Sequence, residues 1–470
     1  MTLINNAKWV GISQFSRVGF QLVGMLLLAR LLGPADYGVM AMAMVVVNLA
    51  NLLRDLGTSA AVVQRTLLDE DEKATIFWLN FGVGILMLAL VLTFAAFSGY
   101  VFKSEKLPEV LCLLAVSFPI SASSAVHQAL LERQSRFKLL ARIEILSSVF
   151  GLCTAIVLAH LKFGVFCLPF QLLAASILSS AQLWIASRWR PAARFCVESF
   201  RNMSGYSGNL AVFNFINYLA RNSDSMVIGR ALGDLQLGIY SQAYRIMLFP
   251  LQNMTFVATR ALFPVMSRHQ DDPSTLRALY MKTVMMVVAV TGPLMGGIWV
   301  LRAEFVQVVF GDRWSPVIPV LAWLAPVGFL QSIVSTTGVV FMATGQTNKL
   351  MKLGLIATFL QVGAFVIGSR WDVTHVAAMY CFANVINFFV AMNATMKELK
   401  SSLMFLMRQL VWPVLACAIM LACIKLLREQ LVYFGEGDLC IALLVSLAGA
   451  AVYGISGFRW IKRTIFTFRT

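Results

Sequence analysis

The chain has 470 residues, of which 59% are hydrophobic and only 13% are charged, and its formal net charge is +16. A soluble globular domain carries about 25% charged residues, so this composition excludes an ordinary water-soluble protein. It indicates a chain that is dissolved in lipid.

Apolar runs long enough to cross a membrane recur along the whole chain. A span needs roughly 20 apolar residues to cross a hydrocarbon core of ~30 Å. We interpret the first run as a retained helix and not as a cleaved signal peptide, because it holds Arg17 in its middle and lacks a clear cleavage site. The expected fold is an all-α polytopic membrane protein of about 14 transmembrane helices. The predicted spans lie near residues 10–29, 38–60, 76–98, 109–130, 140–160, 164–186, 207–229, 239–265, 281–301, 317–343, 350–369, 373–394, 404–424 and 439–458.

The basic residues are unevenly divided between the two ends of these spans. With the N-terminus in the cytoplasm, 23 of the 38 lysines and arginines fall on the cytoplasmic side, 10 on the opposite side and five inside spans. This bias satisfies the positive-inside rule. The sequence therefore predicts a bacterial inner-membrane protein with both termini in the cytoplasm. Topology and contact with anionic lipids explain the positive charge, and no nucleic-acid partner is expected.

A short repeat at an offset of 200 residues divides the chain. Residues 30–38 read RLLGPADYG and residues 230–238 read RALGDLQLG, with an arginine, a leucine and two glycines in matching positions. Six spans separate the copies, so both have the same orientation, as in transporters that place substrate between parallel halves. We therefore expect a six-helix N-terminal lobe (1–195) and a six-helix C-terminal lobe (196–400) around a central cavity. An additional helix pair and a basic tail (401–470) follow.

Polar side chains in the helices before the two repeat copies share one helical face, because they are three or four residues apart. Lipid penalises such side chains, so they should face the protein interior or a water-filled cavity. They are Gln14, Arg17 and Gln21 in the first span, and Asn214, Asn217, Arg221 and Asp224 in the seventh.

Five arginines lie inside predicted spans, where each would cost about 2.5–3.5 kcal/mol if it faced lipid. The embedded acids are fewer, so the interior is net positive and suits an anionic substrate, whose phosphate oxygens match the guanidinium fork. Two alternatives stay open: Arg221 could only neutralise Asp224, three residues away, and Arg245 and Arg260 could reach the interface. The five are Arg17, Arg54, Arg221, Arg245 and Arg260.

No motif indicates a metal site, a cofactor or an ATP-driven motor. The eight cysteines form no CxxC pair, the four histidines are isolated along the chain, and no GxxxxGK[ST] phosphate loop occurs.

Four segments carry a family resemblance: LARLLGPADYG at 28–38, DLGTSA at 55–60, ALFPVMSR at 261–268 and VFGDRW at 309–314. They resemble signatures of the bacterial polysaccharide-transport flippases (O-antigen/exopolysaccharide, Wzx-type) of the multidrug/oligosaccharidyl-lipid/polysaccharide exporter superfamily. The resemblance implies two six-helix lobes around a V-shaped cavity. It also implies flipping of polyprenyl-pyrophosphate-linked oligosaccharide units to the periplasmic leaflet. Many members have twelve helices, so the additional pair is a departure.

The residues and the resemblance lead to one expected mechanism, in which a transporter and not an enzyme moves a lipid-linked repeat unit by alternating access. Membrane lipids and other polysaccharide assembly proteins are the further expected partners. Arginines 17, 54 and 221 are expected to hold the pyrophosphate. Hydrogen bonds to sugar hydroxyls are expected from Gln14, Gln21, Asn48, Asn51, Asn214 and Asn217, and ion or proton coupling from Asp55 and Asp224.

Three other functions stay open. A peptidoglycan-precursor flippase has the same chemistry and fits fourteen helices. A drug/cation antiporter of the same superfamily would favour an acidic cavity, which the excess of arginine opposes. A membrane-bound polysaccharide polymerase would usually need a long outer loop with catalytic residues, and the largest outer loop here, around 302–316, is short.

Overall fold

The computed structural model describes residues 23–54, 69–194, 218–251 and 256–466, with isolated positions at 9, 11, 16, 19, 20 and 215. Side chains are described at these positions except 53, 250, 256–261 and 458–466. Within this part of the chain every regular element is helical. The helices are α1 (23–31), α2 (Pro34–Arg54), α3 (Glu70–Phe102), α4 (Leu107–Ala115), α5 (Ser117–Arg133), α6 (Phe137–His160), α7 (Cys167–Ser187), α8 (Ser223–Pro250), α9 (Phe256–Arg268), α10 (Pro273–Val300), α11 (Arg302–Val309), α12 (Val317–Val334), α13 (Thr337–Ala343), α14 (Thr347–Gly368), α15 (Val373–Glu398), α16 (Leu403–Tyr433) and α17 (Asp438–Phe466).

Eleven segments of the described residues are long and apolar enough to cross a membrane. They coincide with eleven of the fourteen predicted spans, which confirms the all-α polytopic fold. The other three predictions, near 10–29, 207–229 and 239–265, include positions outside the described residues, so the count of fourteen stays a prediction. The eleven segments are Pro34–Leu52, Glu70–Phe102, Leu107–Arg133, Phe137–His160, Gly164–Ser187, Pro273–Val300, Val317–Ala343, Thr347–Gly368, Val373–Glu398, Leu403–Tyr433 and Asp438–Gly457.

The chain forms two compact units, Met1–Gly238 and Ile239–Thr470, and their boundary falls inside α8. In the first unit α6 packs on α7, and α5 packs on both α3 and α7. In the second unit α15 packs on α12 and α14, and α10 packs on α12. The lobe limits expected from the repeat (1–195 and 196–400) stay a prediction.

The additional C-terminal helices are an integral part of the second unit. Helices α16 and α17 pack on each other and on α10, around a buried apolar cluster that includes Met420, Ile424 and Val445. Beside this cluster, Arg428 Nε donates to the buried Glu304 Oε1 at 2.6 Å. A buried carboxylate is tolerated only when it is paired, so this contact fixes α16 against α11.

Contacts between chain segments respect the predicted alternation of the helices. Lys349 lies 2.8 Å from Glu398, and both belong to segments predicted to be cytoplasmic. Arg230 donates to the Tyr100 carbonyl at 2.8 Å, and both lie at the end predicted to be periplasmic. Each pair lies within one unit and joins segments predicted to share a side.

Which end faces the cytoplasm is tested by reporter fusions. Green fluorescent protein fused after Gln134 or Arg194 should fluoresce, and alkaline phosphatase fused there should be inactive. Both results indicate the cytoplasm, which we expect because these turns are rich in arginine. A fusion after Lys103 or Arg313 should give the opposite result. The reverse pattern at all four positions would mean that the protein has the opposite orientation in the membrane. A mixed pattern would contradict the predicted order of the spans.

Candidate functional site

The first unit brings helix α2 against the segment that contains the second repeat copy. The Tyr218 hydroxyl donates to the Val45 carbonyl at 2.8 Å and also bonds the Asn48 side chain. Further along, a methyl group on Gly229 would lie 3.2 Å from Met42 Cε. The earlier residue of the second segment, Tyr218, contacts the later residue of α2, Val45, and the later residue Gly229 contacts the earlier residue Met42. The two segments therefore run antiparallel.

The two repeat copies break the helix at the same position. Helix α1 ends at residue 31, and α2 begins after Gly33, whose N–H donates to Asp36 Oδ2 at 3.1 Å. Within α8 the backbone of Gly233 is non-helical, with φ 81° and ψ −173°, so residues 223–232 and 234–250 form two segments. Only glycine adopts such a conformation without strain. The sequence repeat is therefore also a structural repeat at this stretch.

The two copies meet through a reciprocal glycine contact, which we call the glycine crossing (Gly38 with Asp234, and Gly238 with Pro34). A methyl group on Gly38 would lie 1.7 Å from the Asp234 carbonyl oxygen, and one on Gly238 would lie 1.7 Å from the Pro34 carbonyl oxygen. Position 38 of one copy thus meets position 234 of the other, and the reverse holds. Only residues without a side chain let two backbones approach so closely.

A polar face on α2 lies toward the opposite end from the glycine crossing. Arg54 is half-buried and donates from Nη1 to Ser121 Oγ of α5, while Asn48 is exposed and Asn51 is half-buried. Two hydrogen-bond partners of α2, Ser121 on α5 and Tyr218 before α8, were not predicted. Ser121 belongs to the serine-rich run SFPISASS, and Tyr218 lies four residues after Asn214, so both carried a signal in the sequence.

Arg221 and Asp224 form no ion pair with each other in the structure. Arg221 is exposed, whereas Asp224 is only 6% exposed and its Oδ1 accepts from the Ser225 N–H at 2.6 Å. No ion pair between described residues joins these two side chains. The alternative that Arg221 only neutralises Asp224 is thus without a contact to support it, and the substrate-binding role of Arg221 stays a prediction.

The remaining predicted site residues lie either on α8 and α9 or outside the described residues. Arg245 is exposed on α8 and belongs to the unit Ile239–Thr470. Arg260 lies in α9, with its side chain outside the described part. The other six candidates, which lie outside the described residues, are Gln14, Arg17, Gln21, Asp55, Asn214 and Asn217.

Comparison with known proteins places the chain in a family. The sequence model of a protein family described as "Polysaccharide biosynthesis protein" matches residues 27–319, more than half of the chain. The chain belongs to the polysaccharide biosynthesis protein family. This member is 29% identical over 369 residues to the lipopolysaccharide biosynthesis protein WzxC of Escherichia coli (strain K12), covering 78% of the chain and 75% of WzxC. It is 26% identical over 430 residues to the teichuronic acid biosynthesis protein TuaB of Bacillus subtilis (strain 168), with 89% and 87% covered.

Solved structures give the fold of this family member. The lipid II flippase MurJ, in an inward closed conformation, superposes with a TM-score of 0.75 at 16% identity, covering 98% of this chain and 100% of MurJ. An inward-facing multidrug resistance MATE family transporter of the MOP superfamily superposes with a TM-score of 0.57 at 16% identity, covering 81% of this chain and 94% of that transporter. The predicted resemblance to the polysaccharide flippases is confirmed, and the protein is a multi-pass membrane protein with the fold of these transporters.

Replacing glycine by alanine should destabilise the protein at the glycine crossing and not at an open glycine elsewhere. Gly38→Ala should lower the melting temperature in detergent, because overpacking against backbone typically costs about 1–3 kcal/mol. Gly82→Ala in α3 is the matched control, since nothing lies within 4 Å of the added methyl group. It should leave the protein unchanged or stabilise it by up to about 1 kcal/mol. Equal melting temperatures for the two variants would contradict the close backbone approach.

Proposed function

We propose that this protein flips polyprenyl-pyrophosphate-linked oligosaccharide repeat units from the cytoplasmic to the periplasmic leaflet of a bacterial inner membrane, for the biosynthesis of exopolysaccharide, lipopolysaccharide or another surface polymer. The family match over residues 27–319 carries the proposal. The relatives WzxC, TuaB and the succinoglycan biosynthesis transport protein ExoT of Rhizobium meliloti (strain 1021) bear the names of three different products. We infer that the shared substrate feature is the lipid-linked carrier and not one glycan.

The polar face of α2 supports recognition of an anionic headgroup. A guanidinium has five N–H donors in a fixed fork, and the bond to Ser121 orients that of Arg54. Arg221 is exposed and makes no ion pair with Asp224, so it keeps a positive charge to offer a phosphate. The amides of Asn48 and Asn51 lie on the same helix as Arg54 and suit sugar hydroxyls. Arg17, Arg245 and Arg260 remain further proposed cations of the cavity.

The glycine crossing supports alternating access. It holds two helices together at the end that is predicted to face the periplasm, through backbone approach and not through long side chains. Small-residue contacts in membranes depend on close van der Waals packing, and such a contact separates without breaking buried ion pairs. We infer that the glycine crossing is closed when the substrate enters and parts when the substrate leaves on the other side.

Loss of the gene tests the substrate class. We expect a deletion to stop surface polysaccharide while lipid-linked repeat units accumulate inside the cell, with restoration by the intact gene. Accumulation of lipid-linked peptidoglycan precursor with lysis would favour the peptidoglycan alternative. Accumulation of a cationic dye with normal polysaccharide would favour the antiporter.

Substitutions at Arg54 and Arg221 test the anion-binding role. A hydrogen bond to a charged group contributes about 1.5–3 kcal/mol, so Arg54→Ala or Arg221→Ala should lower the apparent affinity for the lipid-linked unit roughly ten- to a hundred-fold. Lysine at either position should rescue only in part, because it lacks the bidentate fork. The readout is polysaccharide export at matched expression.

The controls separate binding from structure. Arg370→Ala removes an exposed arginine from a turn and should export normally. The double variant Arg221→Ala/Asp224→Ala should stay as impaired as Arg221→Ala, because the two side chains form no ion pair. Full export by the double variant would remove Arg221 from the proposed site, and normal export by Arg54→Ala would remove Arg54.

A further inference from the structure

A cavity of about 620 Å³ lies between the first turn of α6 and the last turn of α7, wholly within the unit Met1–Gly238. Two arginines line it: Arg136 in the turn before α6, and Arg188 directly after α7. Both side chains are exposed, and none of the described lining residues is acidic. The cavity therefore presents two positive charges without a carboxylate to neutralise them.

The inner part of the cavity is built and held in place. Gln182 donates from Nε2 to Ser147 Oγ at 3.3 Å, which ties α7 to α6 below the opening. Ser187 Oγ lies 2.7 Å from Nδ1 of the buried His127. These bonds fix the polar side chains Gln182 and Ser187, which line the cavity beside the arginines. The ligand must therefore be anionic and able to form hydrogen bonds.

One residue that lines the cavity, Arg188, has a backbone conformation that favours glycine and not arginine. Arg188 has φ 56°, in the left-handed region, and ends α7. Glycine is the usual residue at such a helix end, because it has no side chain to strain. The chain instead places a long cation there, and the left-handed turn directs the backbone so that Arg188 lines the cavity.

The other walls are apolar and continue into the lipid-facing surface. Ile143 and Ile185 line the cavity, and Ile185 is 72% exposed. Beyond the cavity, Leu146 and Phe150 on α6 and Ile177 on α7 are also exposed, and both helices are candidate membrane spans. A free phosphate ion would leave these apolar walls unused. An amphiphile with an anionic head and an apolar tail would use both parts.

The geometry points to a binding site for an anionic phospholipid, with its phosphate between Arg136 and Arg188 and an acyl chain along Ile185. The opening lies at the end of α6 and α7 predicted to face the cytoplasm, so the ligand comes from the inner leaflet, where clustered arginines attract anionic lipids. The volume lies within the range of about 300–1,000 Å³ that is usual for small-ligand pockets. This site lies apart from the proposed transport residues of α2 and does not depend on the proposed function.

Binding by purified protein in detergent tests this site, with short-chain phosphatidylglycerol and phosphatidylcholine as the two probes. We expect wild type to prefer phosphatidylglycerol about ten-fold, because both lipids carry a phosphate but the choline cation of phosphatidylcholine is repelled by the two arginines. Arg136→Gln with Arg188→Asn should abolish the preference; asparagine is used because it tolerates the left-handed backbone. The matched control is Lys138→Gln with Arg142→Gln, which removes the same charge from residues that do not line the cavity, and it should keep the preference.

A second pair of variants keeps the test decisive if the arginine variant does not fold. Ile185→Gln should weaken the binding of phosphatidylglycerol several-fold and leave the binding of glycerol phosphate unaffected, whereas Ile356→Gln, at an exposed position on α14 in the other unit, should behave as wild type. Equal binding of the two phospholipids, or equal losses in the cavity and control variants, would overturn the site. Polyprenyl pyrophosphate that displaces phosphatidylglycerol and binds more tightly would overturn the phospholipid assignment. Each of these measurements is independent of flipping.

Discussion

The structure depends on one constraint, which is that hydrocarbon offers no hydrogen-bond partner to a peptide group. An unpaired backbone N–H or C=O in lipid costs several kcal/mol, so a chain of this composition crosses as helices and buries its polar side chains within the protein. The half-buried Arg54 with its bond to Ser121, and the buried Glu304 with its bond to Arg428, both follow from this requirement. The irregular backbone at Gly233 lies directly before Asp234, whose carbonyl group meets α2 in the glycine crossing.

The same constraint made the spans predictable from sequence. Helices α3 and α6 were expected near 76–98 and 140–160 and are found at Glu70–Phe102 and Phe137–His160. The prediction is short at the ends because polar residues such as Glu70 and Asp71 continue the helix beyond the apolar run. Hydropathy measures the part that lies in lipid, whereas the backbone hydrogen bonds determine where the helix stops.

Contacts between distant residues were harder to predict. Arg54 was identified from its charge, but its partner Ser121 lies 67 residues away and depends on how α2 packs against α5. The repeat at an offset of 200 predicted matching breaks, and Gly33 and Gly233 both lie at breaks. It did not predict that the copies touch, because a sequence repeat gives orientation and not separation. For Arg136 and Arg188 the sequence likewise predicted only positive charge in cytoplasmic segments, and not that the two line one cavity.

The reciprocity of the glycine crossing has a consequence for how it responds to substitution. A contact in which position 38 of one copy meets position 234 of the other has the form of the isologous contact that two identical subunits make about a two-fold axis. In such a dimer one substitution changes both halves of the contact at once. In a single chain each half is changed alone, and positions 34 and 234 differ (Pro34 and Asp234) while both copies have the glycine. One polypeptide can therefore loosen one half of the crossing and keep the other, which a symmetric dimer cannot do.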